Sequence, residues 1–178
     1  SVICLPIPIF STQTKSMTSN KIAIITGAGK GIGKAITIGL AALNYQTILI
    51  GRNLEKLKQV ALEIRENSWI ESKIIQLDIT NAIELKAAIS DVILEFGQID
   101  VLVNNAGVYY DGTVDISEED FSKMLNTNLG AQYSILKEVV PVMKQQKSGY
   151  IFNVASRSGK VGFAGSGAYS ASNFGLVG

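Results

Sequence analysis

At 178 residues, 47% hydrophobic and 17% charged, the chain is long enough to bury a real core and reads as one globular domain. Sixteen Lys and Arg against fifteen Asp and Glu leave a net charge of +1, with no basic stripe to draw it to nucleic acid or an anionic membrane. One cysteine, Cys4, and no histidine exclude an intramolecular disulfide, a Cys/His zinc site and a Ser-His-Asp triad, so proton transfer falls to Tyr, Lys, Asp or Glu.

Residues 1–16 differ from the rest. Val2 to Phe10 is apolar but broken by Pro6 and Pro8, no Lys or Arg precedes it, and it is too short to span a bilayer. Met17 lies directly ahead of the first apolar strand and reads as a natural start, which makes 1–16 a non-native or disordered leader and 17–178 the folded domain. With no targeting segment in view, the cytoplasm is the default location.

From residue 21 onward, short β-branched runs alternate with helix-period segments, the pattern of βαβ units. A strand over Lys21–Thr26 leads through a glycine-rich turn into a helix over Ile32–Leu43. That helix is expected to bury Ile32, Ala35, Ile36, Gly39, Leu40 and Leu43, with Gly39 allowing close packing. A strand over Gln46–Ile50 is followed by a helix capped by Asn53 with Leu57, Val60, Ala61 and Ile64 inward. Lys73–Leu77 is the third strand; Thr80 or Asn81 caps a helix that buries Leu85, Ile89, Val92, Ile93 and Phe96 and ends at Gly97. The fourth strand is Asp100–Val103. Ser117-Glu118-Glu119-Asp120 resembles a capping box and opens one long helix to about Gln146. A fifth strand, Tyr150–Ala155, a Gly/Ser-rich loop over 156–168 and a helix beginning at Tyr169 complete the series. The sum is an α/β domain of Rossmann type, a doubly wound parallel sheet in three layers.

In such sheets ligands bind outside the carboxyl ends of the strands. Those ends carry Gly27 to Gly33, Arg52, Asp78, Asn104 to Gly107 and Ser156. Glycines at 27, 31 and 33 permit a tight turn and a close approach, and a helix N-terminus stabilises a phosphate without a cationic side chain. A nucleoside-triphosphatase loop does not fit, because Gly33-Lys34 is followed by Ala35 and its required first glycine is Ala28. A plain glycine-rich turn is the other reading of the loop taken alone.

Thr26-Gly27-x-x-x-Gly31-x-Gly33, Asn104-Asn105-Ala106-Gly107, Asn128, Ser156 and Tyr169 together resemble, in order and spacing, the motif set of the short-chain dehydrogenase/reductases. The likeness runs from Lys21 to Gly178 and is strongest to the 3-oxoacyl-carrier-protein reductase and carbonyl reductase type. The resemblance implies hydride transfer between a nicotinamide and a small-molecule carbonyl or alcohol. It also implies a homo-oligomeric full-length form, and a chain lacking the family's last strands, so that strand five is left as an apolar sheet edge. It assigns Gly27, Lys30, Gly31, Ile32 and Gly33 to the cofactor's phosphates, Asp78 and Ile79 to its adenine side, and Asn105, Ala106 and Gly107 to its ribose; Asn104 is read as a structural tie between strand ends.

Charge selects the cofactor. NAD binders carry an acid at the end of the second strand, whereas this position is Gly51, followed by Arg52, whose guanidinium suits a 2′-phosphate; Lys30 adds a second cation, and the expectation is NADP. As solvated surface cations, the same two residues would say nothing of the ligand.

The resemblance makes Tyr169 the acid, Ser156 the group that polarises the substrate oxygen, and Asn128 the support of a proton relay. A phenol titrates near pH 10, and the family lowers it with a lysine one helical turn on. In this chain that place is held by Asn173, at the matching catalytic and ribose-binding position; the spacing is kept and the charge is gone. A catalytically impaired protein that binds NADP(H) is therefore the alternative to an active enzyme, and restoring lysine is expected to raise turnover. Tyr109, Tyr110, Val161 and Phe163 are expected to line the substrate pocket.

Overall fold

The computed structural model describes residues 21–178; the leader, Cys4 and Met17 lie outside the described residues. Strands β1 (Ile22–Thr26), β2 (Gln46–Gly51), β3 (Lys73–Gln76), β4 (Val101–Asn104) and β5 (Tyr150–Asn153) form one parallel sheet in the order β3-β2-β1-β4-β5. The chain builds outward from β1 to β3, then crosses to place β4 on the other side of β1. The gap between the ends of β1 and β4 is thus the point where strand order reverses.

Side chains along β1 alternate between two cores. Ile22 and Ile24 join Ile48, Ile50 and Leu102 under α3 (Ala82–Phe96) and α5 (Ala131–Gln146), which contribute Leu85, Ile89, Val92, Ile135 and Val139. Ala23 and Ile25 join Leu49, Val101 and Val103 under α1 (Gly31–Ala42) and α2 (Leu54–Ser68), which contribute Ala41, Leu57, Val60 and Ile64. Burial on both faces explains why β1 and β4 read as unbroken apolar runs. Asn53, Asn81 and Ser117 cap α2, α3 and α4 (Glu118–Leu125), accepting from the N–H groups of Lys56, Glu84 and Asp120. Gly97 ends α3 at φ 72°. β5 is an edge strand with Tyr150, Ile151 and Phe152 exposed.

Two expectations are corrected. On α1 the buried residues are Gly33, Thr37 and Ala41, while Ile32 and Leu43 are exposed and the position of a Cβ on Gly39 meets open space. Gly33 lies against the glycine turn, which puts the small face innermost and leaves Ile32, Ala35 and Leu43 exposed, while Ile36 and Leu40 pack half-buried against the core. The long helix from Ser117 is interrupted by a π turn, Asn126–Gly130, between α4 and α5, where the Ala131 N–H donates to the Asn126 carbonyl. α6 (Gly167–Val177) begins two residues before Tyr169 and packs on α4 and the π turn.

Candidate cofactor and active site

The strand-order reversal is held shut by one hydroxyl. Thr26, fully buried at the end of β1, accepts through Oγ1 from the backbone N–H groups of Asn105 and Ala106, both at 3.0 Å. Asn105 returns the tie, its Nδ2 donating to the carbonyls of Thr26 and Gly27 at 3.0 and 3.3 Å. Gly27 turns at φ 66°, a conformation that suits glycine. A Cβ on Gly33 would collide with the Gly27 carbonyl oxygen and stand 2.5 Å from Asn105 Nδ2. Glycine at 33 is therefore needed for helix to meet turn, independently of any ligand.

Above this knot opens a cavity of about 420 Å³, within the usual range for small-molecule sites. Gly27, Lys30, Gly31, Ile32, Arg52, Asp78, Ile79, Asn105, Ala106 and Gly107 all line it; among the residues expected at the cofactor's phosphates, only Gly33 does not, acting instead as the packing contact just described. No side chain caps α1, and its first turn holds no acid, so the positive end of the helix dipole faces the cavity without a neutralising carboxylate. Lys56 and Thr127 also line the cavity. Sequence reasoning missed both; Lys56 was legible as a cation in the first turn of α2.

Arg52 leaves β2 exposed, its Nη1 3.8 Å from Asp78 Oδ2. Partial burial pushes the Asp78 carboxyl upward, but hydrogen bonds from the Thr80 N–H and hydroxyl, with the Arg52 charge, hold it below the ordinary aspartate range. Asn104 behaves as the tie it was read to be, donating from Nδ2 to Asn153 Oδ1 at 3.0 Å across β4 and β5.

A smaller cavity of about 230 Å³ adjoins, lined by Asn105, Tyr109, Asn128, Gln132, Tyr169 and Asn173 among others. The Tyr109 ring stands edge-on to Tyr169, centroids 5.1 Å apart, and its hydroxyl donates to Asp111 at 2.8 Å. Asn128, buried within the π turn, accepts from the Val108 N–H at 2.8 Å and donates to the Val108 carbonyl and Ser172 Oγ. Ser156 Oγ accepts from the Ser158 N–H at 3.2 Å at the head of a short turn, Arg157–Gly159.

The family model described as short chain dehydrogenase matches residues 21–178. The chain belongs to that family. Among its relatives, the 3-oxoacyl-acyl-carrier-protein reductase FabG of Staphylococcus aureus is 35% identical over 164 residues, covering 91% of this chain and 66% of the relative. That of Thermotoga maritima is 36% identical over 165 residues, covering 89% and 64%. This chain thus spans a little under two thirds of these curated relatives. Among solved structures, a metagenomic short-chain oxidoreductase in complex with NADP superposes with a TM-score of 0.85 at 35% identity, covering 89% of this chain and 72% of the other. A single-site variant of the actinorhodin polyketide ketoreductase with NADPH gives 0.84 at 32%, covering 89% and 61%.

In this member of the family, Tyr169, Asn128 and Asn173 converge on the smaller cavity, and Ser156 reaches them through Asn173 rather than by lining the cavity itself. Asn173, 4% exposed, accepts at Oδ1 from the Ser156 N–H at 2.8 Å and donates from Nδ2 to the Tyr169 carbonyl at 2.9 Å. Of the residues expected around a substrate, Tyr109 lines the smaller cavity and Phe163 an apolar one beside Thr113 to Phe121. Tyr110 and Val161 line none of these cavities, which corrects the expectation for both; Val161 is exposed. Gln132 was missed: it is 2% exposed, its Nε2 bonds the Ala106 carbonyl, and its Oε1 has no partner. Among the described residues no cluster of potential ligands could hold a metal ion, and no helix is long and apolar enough to cross a membrane.

Proposed function

We propose that this domain is an NADP-dependent oxidoreductase that moves a hydride between nicotinamide and a carbonyl or secondary alcohol. The observation that carries the reading is the 420 Å³ cavity at the β1/β4 reversal, lined by an uncapped helix N-terminus and by Arg52, with glycine rather than an acid at residue 51. The cradle fits a dinucleotide: nothing lies within 4 Å of the position a Cβ on Gly31 would take, so the space over the turn is open to a ligand. The bound cofactor supplies the hydride; the remaining chemistry belongs to the chain.

In this reading the N–H groups at the start of α1 hold the pyrophosphate, and Arg52 with Lys30 holds the 2′-phosphate. Asp78 and Ile79 bound the adenine, and Asn105, Ala106 and Gly107 the adjoining ribose. Ser156 donates a hydrogen bond to the substrate oxygen, and Tyr169 transfers its phenol proton to that substrate oxygen as hydride addition turns it into an alkoxide, leaving Tyr169 as a phenolate. The NADP and NADPH complexes of the similar structures support the cofactor, and the reductase names of the relatives support the reaction class.

One observation favours a second reading, a protein that binds NADP(H) with little turnover. Residue 173 carries no charge, and both ends of its amide are engaged by Ser156 and Tyr169. Calorimetric titration with NADPH, paired with a carbonyl-reduction assay on aldehydes and ketones, separates the two. Binding with turnover supports the enzyme, binding without turnover the second reading, and no binding refutes both.

A further inference from the structure

We infer that Asn173 is a positioning residue, which sets Ser156 against Tyr169 by clamping the turn after β5 to α6. This deepens the oxidoreductase reading and rests on it for the meaning of Ser156 and Tyr169. Two hydrogen bonds of the buried Asn173 side chain carry the inference, the Ser156 N–H to Asn173 Oδ1 at 2.8 Å and Asn173 Nδ2 to the Tyr169 carbonyl at 2.9 Å. One amide, anchored on its own helix by the Tyr169 carbonyl, therefore ties the backbone of Ser156 to α6, thirteen positions before Tyr169 in a Gly- and Ser-rich stretch.

The surroundings make the clamp tight. Gly159, in the turn that follows Ser156, runs so close to α6 that a Cβ there would be 2.8 Å from the Asn173 carbonyl oxygen. On the other side, Ser172 Oγ also donates to the Tyr169 carbonyl at 2.8 Å and accepts from Asn128 Nδ2 at 3.1 Å. Val108, Asn128, Ser172, Tyr169, Asn173 and Ser156 thus form one connected path from the loop after β4, through α6, to the turn after β5. Networks of buried, satisfied groups specify geometry because leaving any member unpaired is costly. Asparagine is suited to the place: its short amide presents an acceptor and a donor at once, which a lysine ammonium cannot do.

The test compares Asn173→Ala and Asn173→Asp with the unaltered chain. It reads amide hydrogen exchange at Ser156, NADPH affinity and the steady-state constants for carbonyl reduction. In Asn173→Ala, exchange at Ser156 is expected to quicken at least about tenfold while amides of β1 keep their protection. kcat is expected to fall about tenfold with the KM for NADPH within about threefold, as for a residue that orients rather than binds. Asn173→Asp retains an acceptor for the Ser156 N–H and is expected to restore its protection, which a bulk packing role would not require. Should Asn173→Ala fail to fold, Asn173→Asp against the unaltered chain carries the exchange comparison, and loss of Ser156 protection in that variant overturns the proposal. Unchanged exchange at Ser156 in Asn173→Ala overturns it, as does a tenfold loss of NADPH affinity with Ser156 protection intact. If the unaltered chain binds no NADPH, the oxidoreductase reading fails, and the exchange measurements still decide whether Asn173 holds Ser156.

Discussion

Asn173→Lys sets two effects of opposite sign against each other. The change removes the acceptor of the Ser156 N–H and the short donor to the Tyr169 carbonyl, at a site 4% exposed. A buried hydrogen bond contributes about 1 kcal/mol net, and stranding the Ser156 N–H adds to that, so the loss is about 2 kcal/mol. For a domain of this size that corresponds to a fall in Tm of roughly 4–8 °C. Against this, an ammonium entering the 230 Å³ cavity beside Tyr169 stabilises the phenolate left after proton transfer by Coulomb attraction, and acid–base assistance of this kind is worth on the order of 10² to 10⁴ in rate. A loosened Ser156 cancels about tenfold of that gain, the equivalent of about 1.4 kcal/mol. The expected outcome is a protein that is less stable and yet faster by about 10 to 10³, read by thermal denaturation and by NADPH oxidation with a simple aldehyde. An unchanged Tm would refute the clamp, and unchanged turnover would refute the claim that missing charge at 173 limits catalysis.

Two further substitutions test the strand-order reversal. Gly33→Ala places a methyl group on the Gly27 carbonyl oxygen and 2.5 Å from Asn105 Nδ2, so the turn must open; NADPH affinity is expected to fall at least about a hundredfold, by the loss of the phosphate cradle, and affinity within a few-fold of the original would contradict this. Thr26→Val keeps the shape of the side chain but strands the half-buried N–H groups of Asn105 and Ala106 against a fully buried side chain; denaturant unfolding is expected to show a loss of about 2–3 kcal/mol, and a loss below about 1 kcal/mol would remove Thr26 from its central role.

The parts of the fold that were legible in sequence are those whose local chemistry and tertiary role coincide. β1 and β4 are buried on both faces and read as continuous apolar runs, and Asn53, Asn81 and Gly97 punctuate helices by backbone rules that need no partner elsewhere. α1 was misread in part because its innermost face is chosen by a close approach, Gly33 against Gly27; periodicity placed Ile36 and Leu40 against the core, where they pack half-buried, but also favoured Ile32 and Leu43, which are exposed. The π turn adds a residue to one helical turn without altering composition, so a 3.6-residue period passes over it. At the site, the structure brings Tyr169, Asn128 and Asn173 to one cavity, but spacing says nothing of the partners of their side chains. The engagement of the Asn173 amide with Ser156 joins residues seventeen apart across a loop, and no local pattern encodes such a bond. Gln132 escaped for a similar reason: a glutamine within a helix reads as surface, and only the structure shows it buried on the Ala106 carbonyl.

The central claim is that the cavity beside Arg52 selects NADP, and paired calorimetric titrations with NADPH and NADH test it most directly. The expected result is NADPH binding at least about tenfold tighter than NADH, a margin of about 1.4 kcal/mol from one charge-assisted contact, that collapses in Arg52→Ala. Equal affinity for the two cofactors, or a preference for NADH that survives Arg52→Ala, would contradict it.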